Sequence, residues 1–291
     1  MDYFLYLTQM CGIFIILAVG LNLINGMCGQ FSLGHAGFWA IGAYTSAAFT
    51  VFVAPPLPGF IVLFIGCIIG FITAGIAGLI IGVPCLRLKG DYLAIATLGF
   101  GEIIRIVIMN MNSVGGPRGF TGIPQLSNLF WVYLWVVITI VVIANIVRGT
   151  HGRAIISIRE DEIAAESMGI NTFRYKTLAF CVGAGFAGVA GALFSHTTQF
   201  ISPTNFTFMW SVIILLMIIL GGMGSITGAV VGAIILTILP ELLRFFGDTV
   251  SQWRMVIYSV ILILLMMIRP TGLFGKHEFN PLKFLKLGGK S

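Results

Sequence analysis

Nine apolar stretches dominate the sequence, near residues 5–25, 31–52, 59–84, 91–110, 129–147, 177–196, 208–222, 228–246 and 254–269. A helix needs about 20 apolar residues to cross the hydrocarbon core of a bilayer. The runs are continuous and do not alternate, which argues against a membrane β-barrel. The second, fourth and seventh are short or broken by glycine and polar residues, so they are candidates for re-entrant segments. The expectation is an all-α polytopic membrane protein with about nine membrane segments. Residues 1–275 form one transmembrane domain and 276–291 a basic cytoplasmic tail.

Composition points the same way. Charged residues make up 9% of the chain, against about a quarter in soluble domains, so much of its solvent is lipid. The 37 glycines suit helices that approach closely. Small-x-x-x-small seams recur at Gly66/Gly70, Gly78/Gly82, Ala184/Gly188, Ala187/Gly191 and Gly228/Gly232, for packing within the chain or with a sister subunit. The opening Met1-Asp2-Tyr3-Phe4 lacks a basic n-region, so the first segment reads as a retained span.

The basic residues sit at the ends of apolar segments, which is a topology signal and not a nucleic-acid face. With the N-terminus outside, the inner segments are 26–30, 85–90, 148–176, 223–227 and the tail from 270. With Arg269 at the border of the tail, they account for 12 of the 16 Lys and Arg. This predicts N-out, C-in.

Nine of the 26 charges fall within the 29 residues from Arg148 to Lys176. Within that loop, Asp161 to Ile170 reads as a short amphipathic helix. Ile163, Met168 and Ile170 form its apolar side, and Gly169 ends it. Such a helix lies against the membrane or a partner, or else the loop is a solvated connector.

Other polar residues lie within or beside spans, where burial is costly. Asn22 and Asn25 end the first span; Gln30, Ser32 and His35 open the second, among glycines 26, 29, 34 and 37. This is either a broken helix lining a pathway or a tight hairpin. Glu102 and Arg105 stand i,i+3 on one face of the fourth span, as a structural pair or a substrate contact. The outer loop Gly115 to Pro124 is a rigid platform for a docking partner or a lid of turns. Gly29–Gly34 echoes Gly222–Gly228, and Arg87–Tyr92 echoes Arg269–Phe274, which suggests a parallel internal repeat of spans 1–3 and 7–9.

No nucleotide-binding loop is present, since Gly272-Leu273-Phe274-Gly275-Lys276-His277 has the wrong spacing. His35, His151, His196 and His277 are scattered without metal-ligand spacing. The cysteines, Cys11, Cys28, Cys67, Cys85 and Cys181, read as small buried residues. A membrane enzyme therefore has little support.

Leu21–Tyr44, Arg87–Arg105, Gly115–Pro124, Arg153–Gly191 and Arg269–Gly275 together resemble the M-type (LivM-like) permease subunit of branched-chain amino-acid ABC importers. The resemblance runs from about residue 10 to 275. It implies a coupling element in which Arg159, Glu160, Glu162, Ala164, Ala165, Glu166 and Gly169 face the ATPase. The family's Glu-Ala-Ala-x-x-x-Gly pattern is matched by Ile163 to Gly169, with Ile163 in place of the leading Glu. It also implies two separate ABC ATPase subunits carrying ATP and Mg, a second, LivH-like permease and a periplasmic substrate-binding protein. Residence in the cell inner membrane follows. Asn22, Asn25, Ser32, His35, Glu102 and Arg105 are the candidate pathway residues. An importer of the same type for urea or short amides, or a stand-alone secondary transporter, are the alternatives.

Overall fold

A computed structural model describes residues 2–53, 58–88, 90–244, 259–260, 267 and 272–275. Ten helices follow one another among them: α1 (Asp2–Leu21), α2 (His35–Ala48), α3 (Gly59–Cys85), α4 (Asp91–Asn110), α5 (Leu129–Arg148), α6 (Thr150–Glu160), α7 (Glu162–Ser167), α8 (Thr172–Thr198), α9 (Phe208–Gly221) and α10 (Ile226–Arg244). Six helical segments are long and apolar enough to cross a membrane; α9 and α10 are shorter apolar helices. The ninth expected span, 254–269, lies largely outside the described residues, as does the tail.

The ends of the apolar runs fall where the backbone chemistry changes. Helix α5 stops at Gly149. The side chain of Asn171 caps α8 at its start, and Gln199 closes it in a left-handed conformation. The second expected span divides. Residues 28–34 are non-helical and α2 begins only at His35. Ideal Cβ atoms at Gly34 and Gly37 would lie 2.4 Å from the Thr97 carbonyl and 3.0 Å from the Gly101 Cα. Helix α2 therefore starts beside the middle of α4, on the order of 10–15 Å along that helix from Asp91. The fourth expected span, by contrast, is one unbroken helix.

Helix α8 is the spine of the bundle. It is mostly buried, whereas α4 and α5 are mostly exposed. Its glycines let neighbours reach its backbone. A Cβ at Gly42 would sit 2.1 Å from the Gly188 carbonyl oxygen, and one at Gly191 2.2 Å from the Trp39 carbonyl oxygen. The small-residue seams are thus spent inside the chain: Gly70 on Gly188, Gly78 on Ala184, and Gly228 and Gly232 on α9. Trp39, almost fully buried, packs its ring 4.8 Å from both Phe194 and Phe206. Cys11, Cys28, Cys67 and Cys85 are buried, Cys181 is partly so, and all five are free thiols.

The loops gather at two ends. At one end, Phe120 and Ile201 exchange backbone hydrogen bonds of 2.7 and 3.2 Å. There His196 Nδ1 lies 3.1 Å from the Pro124 carbonyl oxygen, and its Nε2 3.3 Å from the hydroxyls of Ser46 and Thr50. The 115–124 loop is thereby held by α2 and α8, with Gly115, Gly116, Gly119 and Gly122 all at positive φ. At the other end lie residues 22–30, the 148–176 segment, the α9–α10 turn and residues 272–275, whose Leu273 and Phe274 amides bond the carbonyls of Leu220 and Gly221.

Gly188→Ala is expected to lower the thermal midpoint of the detergent-purified chain, because its methyl would meet the Gly70 carbonyl at 2.1 Å and overpacking costs about 1–3 kcal/mol. Gly99→Ala, whose methyl meets nothing within 4 Å, leaves the midpoint unchanged or raised.

Candidate functional site

The first span ends in a π-helical turn, Asn22–Met27, entirely buried. Non-helical backbone inside a membrane protein survives only where protein or water pairs its polar groups. Here neighbouring helices and the turn itself supply the partners. Asn22 Oδ1 accepts from the Gly224 amide at 2.9 Å, and its Nδ2 donates to the Ser225 carbonyl at 3.0 Å. Asn25 makes the same reciprocal pair with the Ser32 amide and carbonyl, both at 3.2 Å. The Leu33 amide donates to Thr97 Oγ1 at 3.0 Å and the Ala36 amide to Ser211 Oγ at 2.9 Å. Asn22 thus ties the end of the first span to the α9–α10 glycine turn.

Asn22, Asn25, Ser32 and His35 are all buried within the bundle. The His35 ring is fully enclosed beside the Leu17 carbonyl, outside hydrogen-bonding geometry. Its nitrogens, the Ser32 hydroxyl and the Gln30 side-chain oxygen have no hydrogen-bond partner among the described residues. Thr97 and Ser211 escaped the sequence reading. A hydroxyl inside an apolar helix was their only signal, and it does not reveal which amide the hydroxyl serves.

Glu102 and Arg105 pair at 2.7 Å, with about a quarter of each side chain exposed. The other Glu102 oxygen accepts from the Phe208 amide at 3.3 Å, the first residue of α9. A carboxylate there answers unpaired amides and the positive end of the helix dipole. A crevice too narrow for a water molecule lies between α2, α4 and α9, lined by Leu33, Gly37, Gly101, Glu102, Phe208 and Ser211. Two helix starts, α2 and α9, thus meet on α4 beside the one ion pair of that helix.

The charged loop is more helical than expected. Before the anticipated helix comes α6, and α7 is one and a half turns long. Asp161, not among the expected site residues, caps α7 by accepting from the Ile163 and Ala164 amides at 2.9 and 3.0 Å. Its signal was plain in retrospect, an Asp directly before a helical run. Gly169, at φ +83°, closes the helix: the Ile170 amide reaches the Ala165 carbonyl and the Gly169 amide the Glu166 carbonyl, a Schellman ending.

Ties to α8 then fix the orientation of α7. Glu162 pairs with Lys176 at 2.6 Å, and Glu166 accepts from the Thr172 hydroxyl at 2.7 Å. Glu160 leans on Arg159 at 2.6 Å and keeps over half of its side chain exposed. Ala165 is buried and Ala164 exposed. Ile163 and Met168 are 73% and 82% exposed. Arg159 points inward, its Nη1 donating to the Gly26 carbonyl at 2.9 Å. The broken span and the charged loop are therefore one assembly.

Asn22→Ala strands the buried Ser225 carbonyl and the half-buried Gly224 amide, at a cost of about 1–3 kcal/mol. A lower thermal midpoint is expected, while Asn110→Ala, at an exposed site bonded to its own helix, stays within about 0.5 kcal/mol of the parent.

The family described as branched-chain amino acid transport system / permease component matches residues 3–266. LivM, the high-affinity branched-chain amino acid transport system permease protein of Escherichia coli strain K12, is 38% identical over 90% of this chain and 67% of its own length. LivM of Salmonella typhimurium strain LT2 is 37% identical over 92% and 69%. The related permease protein LivH of Escherichia coli K12 is 27% identical over 90% and 91%. The chain belongs to the branched-chain amino acid transport system permease family.

Proposed function

We propose that this chain is one of two permease subunits of an ABC importer for branched-chain amino acids. The observation that carries the reading is α7. This short helix is capped at both ends and tied to the buried spine α8, yet it holds two large apolar side chains in the open. A helix so anchored transmits force and so exposed awaits a partner. Two ABC ATPase subunits, which bring ATP and Mg, dock there and drive the bundle between outward-open and inward-open arrangements. The end that carries α7 is cytoplasmic, the N-terminus lies outside and the C-terminus inside, in the cell inner membrane. The basic residues gathered around that end support this orientation. The opposite end, with its braced glycine loop, receives a periplasmic substrate-binding protein.

The second, LivH-like permease covers the exposed face of α4. Glu102 and Arg105 stand half-open in an apolar helix, and charges inside a membrane face protein or a water-filled path, not lipid. Gly99 is one turn away with open space over it, as suits the close approach of a partner helix. The substrate pathway runs along this seam, with Glu102 and Arg105 offering one charge of each sign to a zwitterion. Asn22, Asn25, Ser32 and His35 stand behind it and keep the break in shape.

Replacing Ile163 and Met168 together by Asp is expected to strip the ATPase subunits from the purified complex while the chain's own thermal midpoint holds. ATPases that stay bound in parental amounts count against α7 as their dock. Gly99→Leu is expected to release the second permease on size-exclusion chromatography, again without loss of folding; an intact pair counts against the α4 seam.

A further inference from the structure

Arg159 joins three elements that are remote in sequence. It is the second-last residue of α6, directly before the Glu160-Asp161 step into α7. Its Nη1 donates to the Gly26 carbonyl in the π turn, and its Nη2 and Nε reach Glu160 Oε1 at 2.6 and 3.2 Å. An ideal Cβ at Gly29 would lie 2.9 Å from the Arg159 Cγ, and one at Gly224 2.7 Å from its Nη1. The side chain therefore lies in a slot whose walls are glycines, one from the broken span and one from the α9–α10 turn. The same turn is bonded to Asn22, so the guanidinium and Asn22 clasp it from two sides.

We propose that Arg159 is the positioning residue that carries ATPase-driven displacement of α7 to the broken span and the α9–α10 turn. The proposal rests on the importer reading above. Helix α7 has two mechanical outlets. The Glu162–Lys176 and Glu166–Thr172 ties lead to α8, a rigid and buried helix. Arg159 leads to the π turn, where the Gly26 carbonyl has its partner in a side chain 133 residues away. A turn whose backbone bonding depends on another element is where a small shift converts into a change of helix shape. A guanidinium suits the task because its planar fork bonds Gly26 and Glu160 at once, whereas an ammonium is a single point.

The test uses the complete importer, with both permeases, both ATPases and the binding protein, in proteoliposomes, and reads leucine uptake per ATP hydrolysed. Arg159→Met keeps the stem against Gly29 and removes every donor. It is expected to retain the ATPase subunits and to lower uptake per ATP at least tenfold. Arg159→Lys is expected to fall between Met and the parent. A parental ratio in the Met variant overturns the proposal. So does loss of the ATPase subunits from a Met variant with parental thermal stability, since Arg159 would then serve docking. If the Met variant does not fold, the Lys variant decides, and a parental ratio there overturns the proposal. Should the parental importer itself take up no leucine under ATP, it is the importer reading that fails, before Arg159 is tested.

Discussion

A backbone amide or carbonyl without a partner is too costly to keep inside a lipid-embedded bundle. That constraint governs this structure, because the second span is not a continuous helix. At five places where the ladder stops, a side chain takes over its bonds: Asn22 for the α9–α10 turn, Asn25 for Ser32, Thr97 for Leu33, Ser211 for Ala36, Glu102 for Phe208. Several of the polar residues that stand out in an apolar sequence are thus the stitching of its breaks. This explains why Asn22 and Asn25 lie buried, each with its amide group paired to backbone.

The glycines serve the same architecture by another route. Helix α8 meets α2 and α3 backbone to backbone, at Gly188 with Gly42 and Gly70. Attraction between helices in lipid comes from packing, since their apolar side chains gain nothing by leaving the hydrocarbon. Contacts this close make a stiff spine, and the short α7 is tied to that spine through Lys176 and Thr172. The braced end adds to it through His196, which joins the 115–124 loop to α2.

Much of the span pattern was legible because continuous apolar runs have few other readings: 59–84, 91–110 and 129–147 fall within a residue of α3, α4 and α5 at each end. What escaped was depth. Periodicity cannot say that α2 starts beside the middle of α4, because an extended segment rich in glycine and a hairpin look alike in sequence; the shortness of the seventh stretch, by contrast, was legible, and α9 has 14 residues. Helix α6 was missed since its amphipathic character lies in a polar loop. Helix α7 was legible from its acids and Gly169, whereas the direction of Arg159 was not. Its partner is a backbone carbonyl, and carbonyls leave no trace in a sequence.

The sequence distance between the stitches has a bearing on biogenesis. Asn22 and Gly26 leave the ribosome long before Arg159, Gly224 and Ser225, their partners by 133 to 203 residues. While they wait, the first span is best served by an ordinary continuous helix that satisfies itself. The polar groups of the π turn gain their full set of partners only once the segment through Ser225 has been inserted, so the bonding of the break is completed late in assembly. A nascent chain halted before that point lacks the Gly224 wall of the guanidinium slot and both backbone partners of Asn22.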